Sequence, residues 1–380
     1  MSRRRYAGIR RVPLGWRMVS GDWIRFVVTV SGVGVALSLM LFLAGVYGGV
    51  KAESNGYVSS RPVDVWVAQS NSTNLIRSTS FLDLYWLDTL RESPSVGSIA
   101  PLLRLITTLT IRGTVYTQFV CGIEPGVPAT RPTMVIGSGS LGPGEMLVDL
   151  AFARRAGLQV GDTVLVQERP FRVAGISTGT NAVVTQFTFI SMADARALLP
   201  KALREIASFL LVSARPGVST AALVAELREL APSLNVFTAD EFTRNNLDEM
   251  RTGMLPILGT VALFGGAVGV AVLTLLLYGS MLERREDYAL LKAIGASRPF
   301  LRLLVFRQCL AAVIWGYGVG LLIYAVMKPV LVRVVPILTI SLSWPDAALI
   351  GLAAIVMGLL GAWLPLGRLE QIYPGEVFRA

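Results

Sequence analysis

The chain has no histidine, two cysteines and four lysines among its 380 residues. Each shortage removes a class of chemistry. Without an imidazole there is no ordinary general base for neutral pH, no Ser-His-Asp relay, and no histidine ligand for a transition metal. The two cysteines, Cys121 and Cys309, fall in a polar segment and an apolar segment on opposite sides of a barrier, so they do not pair within one chain, and no disulfide framework exists. Nowhere does Gly precede Lys, so the phosphate-cradling GxxxxGK[ST] loop is absent. Any ATP hydrolysis must come from another polypeptide. The acids of the polar middle are scattered singly, which does not suit a hydrolytic carboxylate pair, and the chain reads as non-catalytic with no cofactor or metal of its own.

Charge is scarce too, at 16%, whereas apolar residues reach 53%. Mean hydropathy is +0.59. Four stretches are long and uncharged enough to cross a bilayer, which needs about 20 residues. They cover 26–50, 252–282, 303–327 and 347–367, and only the third holds a charge, Arg307, near enough to its start to snorkel. A signal peptide is the competing reading of the first stretch. Its length exceeds the short apolar region of such peptides, which favours a retained anchor. No span carries the acid–base pair that lines an ion or proton path, so a conduction pore or ion-coupled carrier is disfavoured.

The basic residues set orientation. Residues 1–25 hold seven Arg and one Asp, and 283–302 holds five Lys or Arg, so both segments are expected in the cytoplasm. Residues 51–251 carry 18 basic and 18 acidic side chains, leaving the whole net charge of +10 to the rest of the chain. The excess is therefore a topology signal and not a nucleic-acid footprint. Both termini are expected on the cytoplasmic side of the membrane, with a neutral domain of about 200 residues outside, a short outer loop at 328–346 and a tail at 368–380.

That outer domain reads as α/β. Strands are expected at 63–67, 99–111 and 115–123, the last two turned at Arg112-Gly113, with helical spacing at 81–91. A β-rich insert at about 133–190 carries short strands at 145–149, 163–167, 171–176 and 186–190. Helix and strand then alternate: a helix at 191–199, a strand at 209–213, a helix capped by Ser219 and a strand at 235–238. The fold class is thus a four-helix membrane protein bearing a βαβ-type core interrupted by a small β subdomain. Ahead of the second span, 239–251 (ADEFTRNNLDEMR) extends the helix as a stalk, with Pro256 as a candidate kink.

Two features invite helix packing or partner contact. Small residues recur at four-residue spacing at Gly45 and Gly49, Gly265 and Gly269, and Gly316 and Gly320, a spacing that lets helix backbones approach. Between the second and third spans, Glu283, Arg284, Arg285, Glu286, Asp287 and Lys292 present alternating charge, while Leu290, Leu291 and Ile294 give an apolar ridge. Gly295 supplies a helix break and Ala296-Ser297 open the next turn.

The stretch LERREDYALLKAIGASRPFLRLLVFRQ resembles the signature of the FtsX/MacB-like ABC-transporter permeases, its ALLKAIGAS block being the most specific part. Pro13-Leu14-Gly15-Trp16-Arg17, the closing LEQIYPGEVFR and the outer segment 145–176 resemble the same family. The resemblance implies a permease subunit that dimerises with a second copy or a related permease and binds a cytoplasmic ATPase through its N-terminal segment, the elbow at 283–302 and the tail. ATP and Mg would reside on that ATPase. It further implies mechanotransmission to the outer domain for efflux or release of a lipid-like, lipoprotein, peptide or drug substrate, with an adaptor or membrane-fusion protein as a further partner. The alternative is a regulatory membrane protein that activates an extracellular cell-wall hydrolase. A third reading is a stand-alone sensor.

Overall fold

A computed structural model describes residues 23–369 apart from 138, 183–184, 284 and 336–338. The expectations for the first 22 residues, for Arg284 and for the tail from residue 370 lie outside the described residues. The chain divides into two compact units, one holding 1–45, 258–328 and 342–380, the other 46–257 and 329–341.

Four long helices supply the first unit: α1 (Trp23–Ser59), α6 (Ala239–Glu283), α8 (Arg298–Val334) and α9 (Trp344–Leu369). Each contains a window apolar enough to cross a membrane. The helices outrun the expected spans. α8 starts at Arg298 and passes Pro329 to end at Val334, so Arg298 and Arg302 lie in its first turns instead of in a loop. α6 is continuous through Pro256 for 45 residues, which at 1.5 Å per residue is about 68 Å.

The second unit is built on one long strand. β1 (Val65–Gln69), α2 (Tyr85–Arg91) and β3 (Val96–Ile111) form one βαβ unit; β12 (Phe209–Ala214), α5 (Thr220–Leu230) and β13 (Leu234–Thr238) form another. They interleave in the order β13-β1-β12-β3, with every neighbour antiparallel. This is the split βαβ arrangement of ferredoxin-like folds. β1 is buried on both faces: Val65 and Val67 meet α2 and α5, while Trp66 and Ala68 face the opposite layer. In that layer Phe242 of α6 stacks on Trp66 at 4.6 Å, and Tyr57 of α1 joins the same core.

Beyond Leu102, β3 leaves the core sheet. Its second half pairs with β4 (Thr114–Ile123), and the ladder continues through β10 (Thr185–Ser191), β6 (Glu145–Asp149) and β8 (Arg169–Thr178). β7 (Thr163–Val166) pairs with both β8 and β3, which closes a six-stranded barrel. Leu109, Val120, Val148, Val164, Val173 and Ile190 fill its interior. The β insert therefore begins inside β3, well before residue 133, because β3 and β4 supply two of the barrel's staves. A short helix α3 (Leu150–Ala156) that the sequence reading passed over packs there too. Its cap is Asp149, which accepts from the Ala151 and Phe152 N–H groups, and Gly157 at φ +64° ends it.

Candidate coupling site

The charged segment after α6 folds as a helical elbow. α7 (Arg285–Ala293) has nine residues, too short to persist without tertiary support. Its end is closed by paired backbone bonds: the Gly295 N–H donates to the Lys292 carbonyl at 3.2 Å and the Ala296 N–H to the Leu291 carbonyl at 2.9 Å. This is the Schellman arrangement, and it requires the left-handed φ of +96° that Gly295 adopts. α8 starts at once, the Ser297 carbonyl accepting from the Leu301 N–H at 3.2 Å. Pro299 sits in the first turn, where a missing N–H costs nothing.

Apolar side chains fix the angle of the elbow. Tyr288 is 2% exposed and packs with Leu301, Leu304 and Val305 of α8, with Leu291 and Ala296 at the margin. The expected three-residue apolar ridge is therefore divided: Leu291 turns inward, while Leu290 and Ile294 remain 55% and 73% exposed. Glu286, also exposed, precedes Leu290 by one turn, so Glu286, Leu290 and Ile294 line one outer strip. Lys292 is half-buried. The side chains of Glu283, Arg285 and Asp287 lie outside the described residues. Sequence reasoning missed Tyr288 and the fully buried Ala289 as internal residues. Their signal was the spacing of Tyr288 and Leu291, three apart on one helix face.

The glycine pairs separate into two kinds. A Cβ on Gly316 would lie 2.7 Å from Val33 Cγ1, and one on Gly320 3.1 Å from the Gly34 carbonyl oxygen, so α1 and α8 cross on these residues. Gly265 faces Leu39 at 3.2 Å, and Gly269 faces Met357 and Ala36 at 2.5 and 3.1 Å, again as Cβ positions. Gly49 is a correction to the helix-packing expectation. A Cβ there would run into the Thr339 carbonyl, so Gly49 admits the irregular backbone ahead of α9 and not a helix. Gly45 is buried in α1. Among the described residues no group of three or more Cys, Asp or Glu is placed to hold a metal.

Comparison with known families decides what carries this elbow. The MacB-like periplasmic core domain matches residues 26–230, and the FtsX-like permease C-terminal domain matches 259–374. The chain belongs to the MacB/FtsX-type ABC-transporter permeases. An uncharacterised ABC transporter permease of Mycobacterium tuberculosis strain H37Rv is 25% identical over 367 residues, covering 93% of this chain and 95% of that one. One from Mycobacterium bovis is 25% identical over 364 residues with the same coverage. The crystal structure of the periplasmic region of MacB from Actinobacillus actinomycetemcomitans aligns at a TM-score of 0.39 and 14% identity, over 49% of this chain and 93% of that one. The permease is thus a non-catalytic membrane subunit, and its family implies a partner ATPase.

Proposed function

We propose that this permease works by mechanotransmission: a separate cytoplasmic ATPase docks on the elbow, and its nucleotide cycle moves the extracytoplasmic domain. The observation that carries this reading is α6, one unbroken helix whose Phe242 is stacked in the outer core and whose last residue, Glu283, adjoins α7. A continuous helix transmits displacement along its axis because successive turns are held by backbone bonds, of which Pro256 removes one from the ladder of α6. On this reading the outer strip of Glu286, Leu290 and Ile294 meets the ATPase, while Tyr288 makes the elbow stiff enough to carry load. ATP and Mg stay on the ATPase. Both termini are cytoplasmic, two permease copies flank the assembly, and an adaptor completes it where a second membrane must be crossed. The cargo is a lipid-like, lipoprotein, peptide or drug molecule handled on the outer face, consistent with spans that lack buried charge pairs.

The test is reconstitution of the full chain in nanodiscs with its ATPase, reading complex formation and hydrolysis together. Leu290→Glu and Ile294→Glu place charge on the outer strip without touching the packed face. Both are expected to abolish ATPase retention while the permease stays folded. A permease that elutes alone in wild-type form would move the assignment to the sensor reading.

A further inference from the structure

The segment between β1 and β2 (Leu82–Asp83), residues 70–81, has no strand or helix of its own, yet Ser72, Asn74, Leu75 and Ser80 are each at most 2% exposed. It closes on itself: Asn74 Oδ1 accepts from the Arg77 and Ser78 N–H groups at 2.8 and 3.2 Å, and Ser78 Oγ accepts from the Thr73 N–H at 3.2 Å. Residues of α6, β3 and β13 hold it, Asn235 of β13 donating through Nδ2 to the Ser70 and Ser72 carbonyls. Asn246 of α6, 1% exposed, accepts from the Leu75 N–H through Oδ1 at 2.8 Å. Arg104 of β3, 7% exposed, donates through Nη1 to the Leu75 and Ile76 carbonyls at 2.7 and 2.6 Å and through Nη2 to the Ser78 carbonyl at 2.7 Å.

Leu75 is therefore tied to α6 by its N–H and to β3 by its C=O, while its side chain is fully buried with Trp66 and Phe242. Arg104 occupies a telling place on β3. Pairing with β12 ends at Leu102 and pairing with β4 begins at Leu103, so Arg104 stands where the strand passes from core sheet to barrel. Its guanidinium lies over Phe119 of β4 at 4.9 Å, and its N–H is held by Ser208 Oγ at 3.0 Å. A buried cation that donates to three carbonyls, with its Nε left without a hydrogen-bond partner among the described residues, is a costly way to fasten a loop unless the loop must stay in register with the strand. The Arg77–Glu249 ion pair to α6, at 2.8 Å, is largely exposed and adds little.

We propose that Leu75 is the link through which α6 acts on the sheet-to-barrel junction, with Asn246 and Arg104 as the positioning residues that hold it. The inference rests on the mechanotransmission reading and adds its route: a displacement of α6 reaches β3 through one residue, Leu75, and tilts the barrel relative to the core sheet.

The test uses the full chain in nanodiscs with its ATPase, spin-labelled at Asp248 on α6 and Thr114 at the barrel's hairpin. The wild-type distance is expected to shift between nucleotide-free and nucleotide-bound states. Asn246→Leu and Arg104→Met are expected to lose the shift, while Asn246→Asp, which keeps the acceptor, retains it. A merely structural role would lower the melting temperature of the variants and leave the shift in place, and that result overturns the link while sparing mechanotransmission. No shift in the wild type overturns both. Hydrogen exchange on the permease alone supplies an independent reading, needing no ATPase. In Asn246→Leu the Leu75 amide is expected to exchange about tenfold faster, with faster exchange spreading to 102–105. Acceleration confined to the loop would sink the proposal.

Discussion

Asp149 shows how one buried acid serves two ends. It caps α3 and accepts from Thr180 Oγ1 at 2.7 Å, and burial pushes its carboxyl above the ordinary range against the pull of those hydrogen bonds. In the unfolded chain it titrates near its usual value of about 3.9. The folded state thus holds the proton more tightly, so this group's contribution to stability is fullest below the unfolded pKa. It is lost as pH climbs through the raised folded value. Asp149→Asn keeps the capping oxygen and is expected to flatten that part of the stability profile, read by denaturant unfolding from about pH 3 to pH 7. An unchanged slope would assign the effect elsewhere. Cys121 gives a second residue-scale expectation. It is fully buried beneath Arg104, and burial pushes its thiol up to about 12. Maleimide at pH 8 is therefore expected to leave Cys121 unlabelled in the folded protein and to label it on denaturation. Asp149 was legible in the sequence as a helix cap, with Gly157 eight residues on as the stop, but a reading tuned to strands passed over both. Arg104 was not legible. Nothing in ITTLT or its surroundings distinguishes a buried guanidinium from an edge-strand arginine, because its partners are carbonyls of a loop 26 to 29 residues away.

Elements follow their signals more closely where the signal is local. Ser219, Ser191 and Asp149 each cap the helix that follows. Gly295 breaks α7 where a single glycine between a helical pattern and Ser-Arg-Pro indicates it. Gly295→Ala forces an L side chain into left-handed backbone and is expected to destabilise the elbow by about 1–2 kcal/mol. Its signature would be lost coupling between nucleotide turnover and the outer domain, with the permease still inserted. In the membrane, Gly316→Val brings a branched side chain against Val33, and overpacking of this kind costs about 1–3 kcal/mol. The expected readout is a lower melting temperature in detergent, with Gly318→Val as the control, since nothing lies within 4 Å of a Cβ at Gly318. The apolar ridge of the elbow was legible as composition but not as orientation. Leu290 and Leu291 are neighbours in sequence, and only the packing of Tyr288 on α8 decides which of them turns outward.

At the scale of the whole molecule, the membrane helices were open to reading from length and charge, and the α/β character of the outer domain from apolar periodicity and turn signals, since both depend on patterns over many residues. Barrel closure was not. It depends on β7 meeting β3 across more than fifty residues, with two paired positions, Leu109 with Val166 and Thr110 with Leu165. Sequence patterns record which face of a strand is buried and say nothing of which distant strand covers it. The charge asymmetry does make a whole-molecule prediction. Cysteines introduced near the N-terminus and in the segment after α9 are expected to resist an impermeant thiol reagent in intact cells, whereas one at exposed Thr114 reacts. Labelling at all three sites would overturn the orientation.

The rung at which β3 changes sheets has one more consequence, for how such a domain can vary. Leu102 stands directly across from Phe209, so the chain leaves the core sheet and returns to it at adjacent positions. Everything between is a cassette with its two ends side by side, and closing a loop between neighbouring ends depends only weakly on how much chain is looped out. The foundation of α1, α6 and four strands can therefore remain fixed while the cassette is lengthened, shortened or exchanged. Permeases of this architecture can then differ in the cassette without rebuilding the core sheet beneath it.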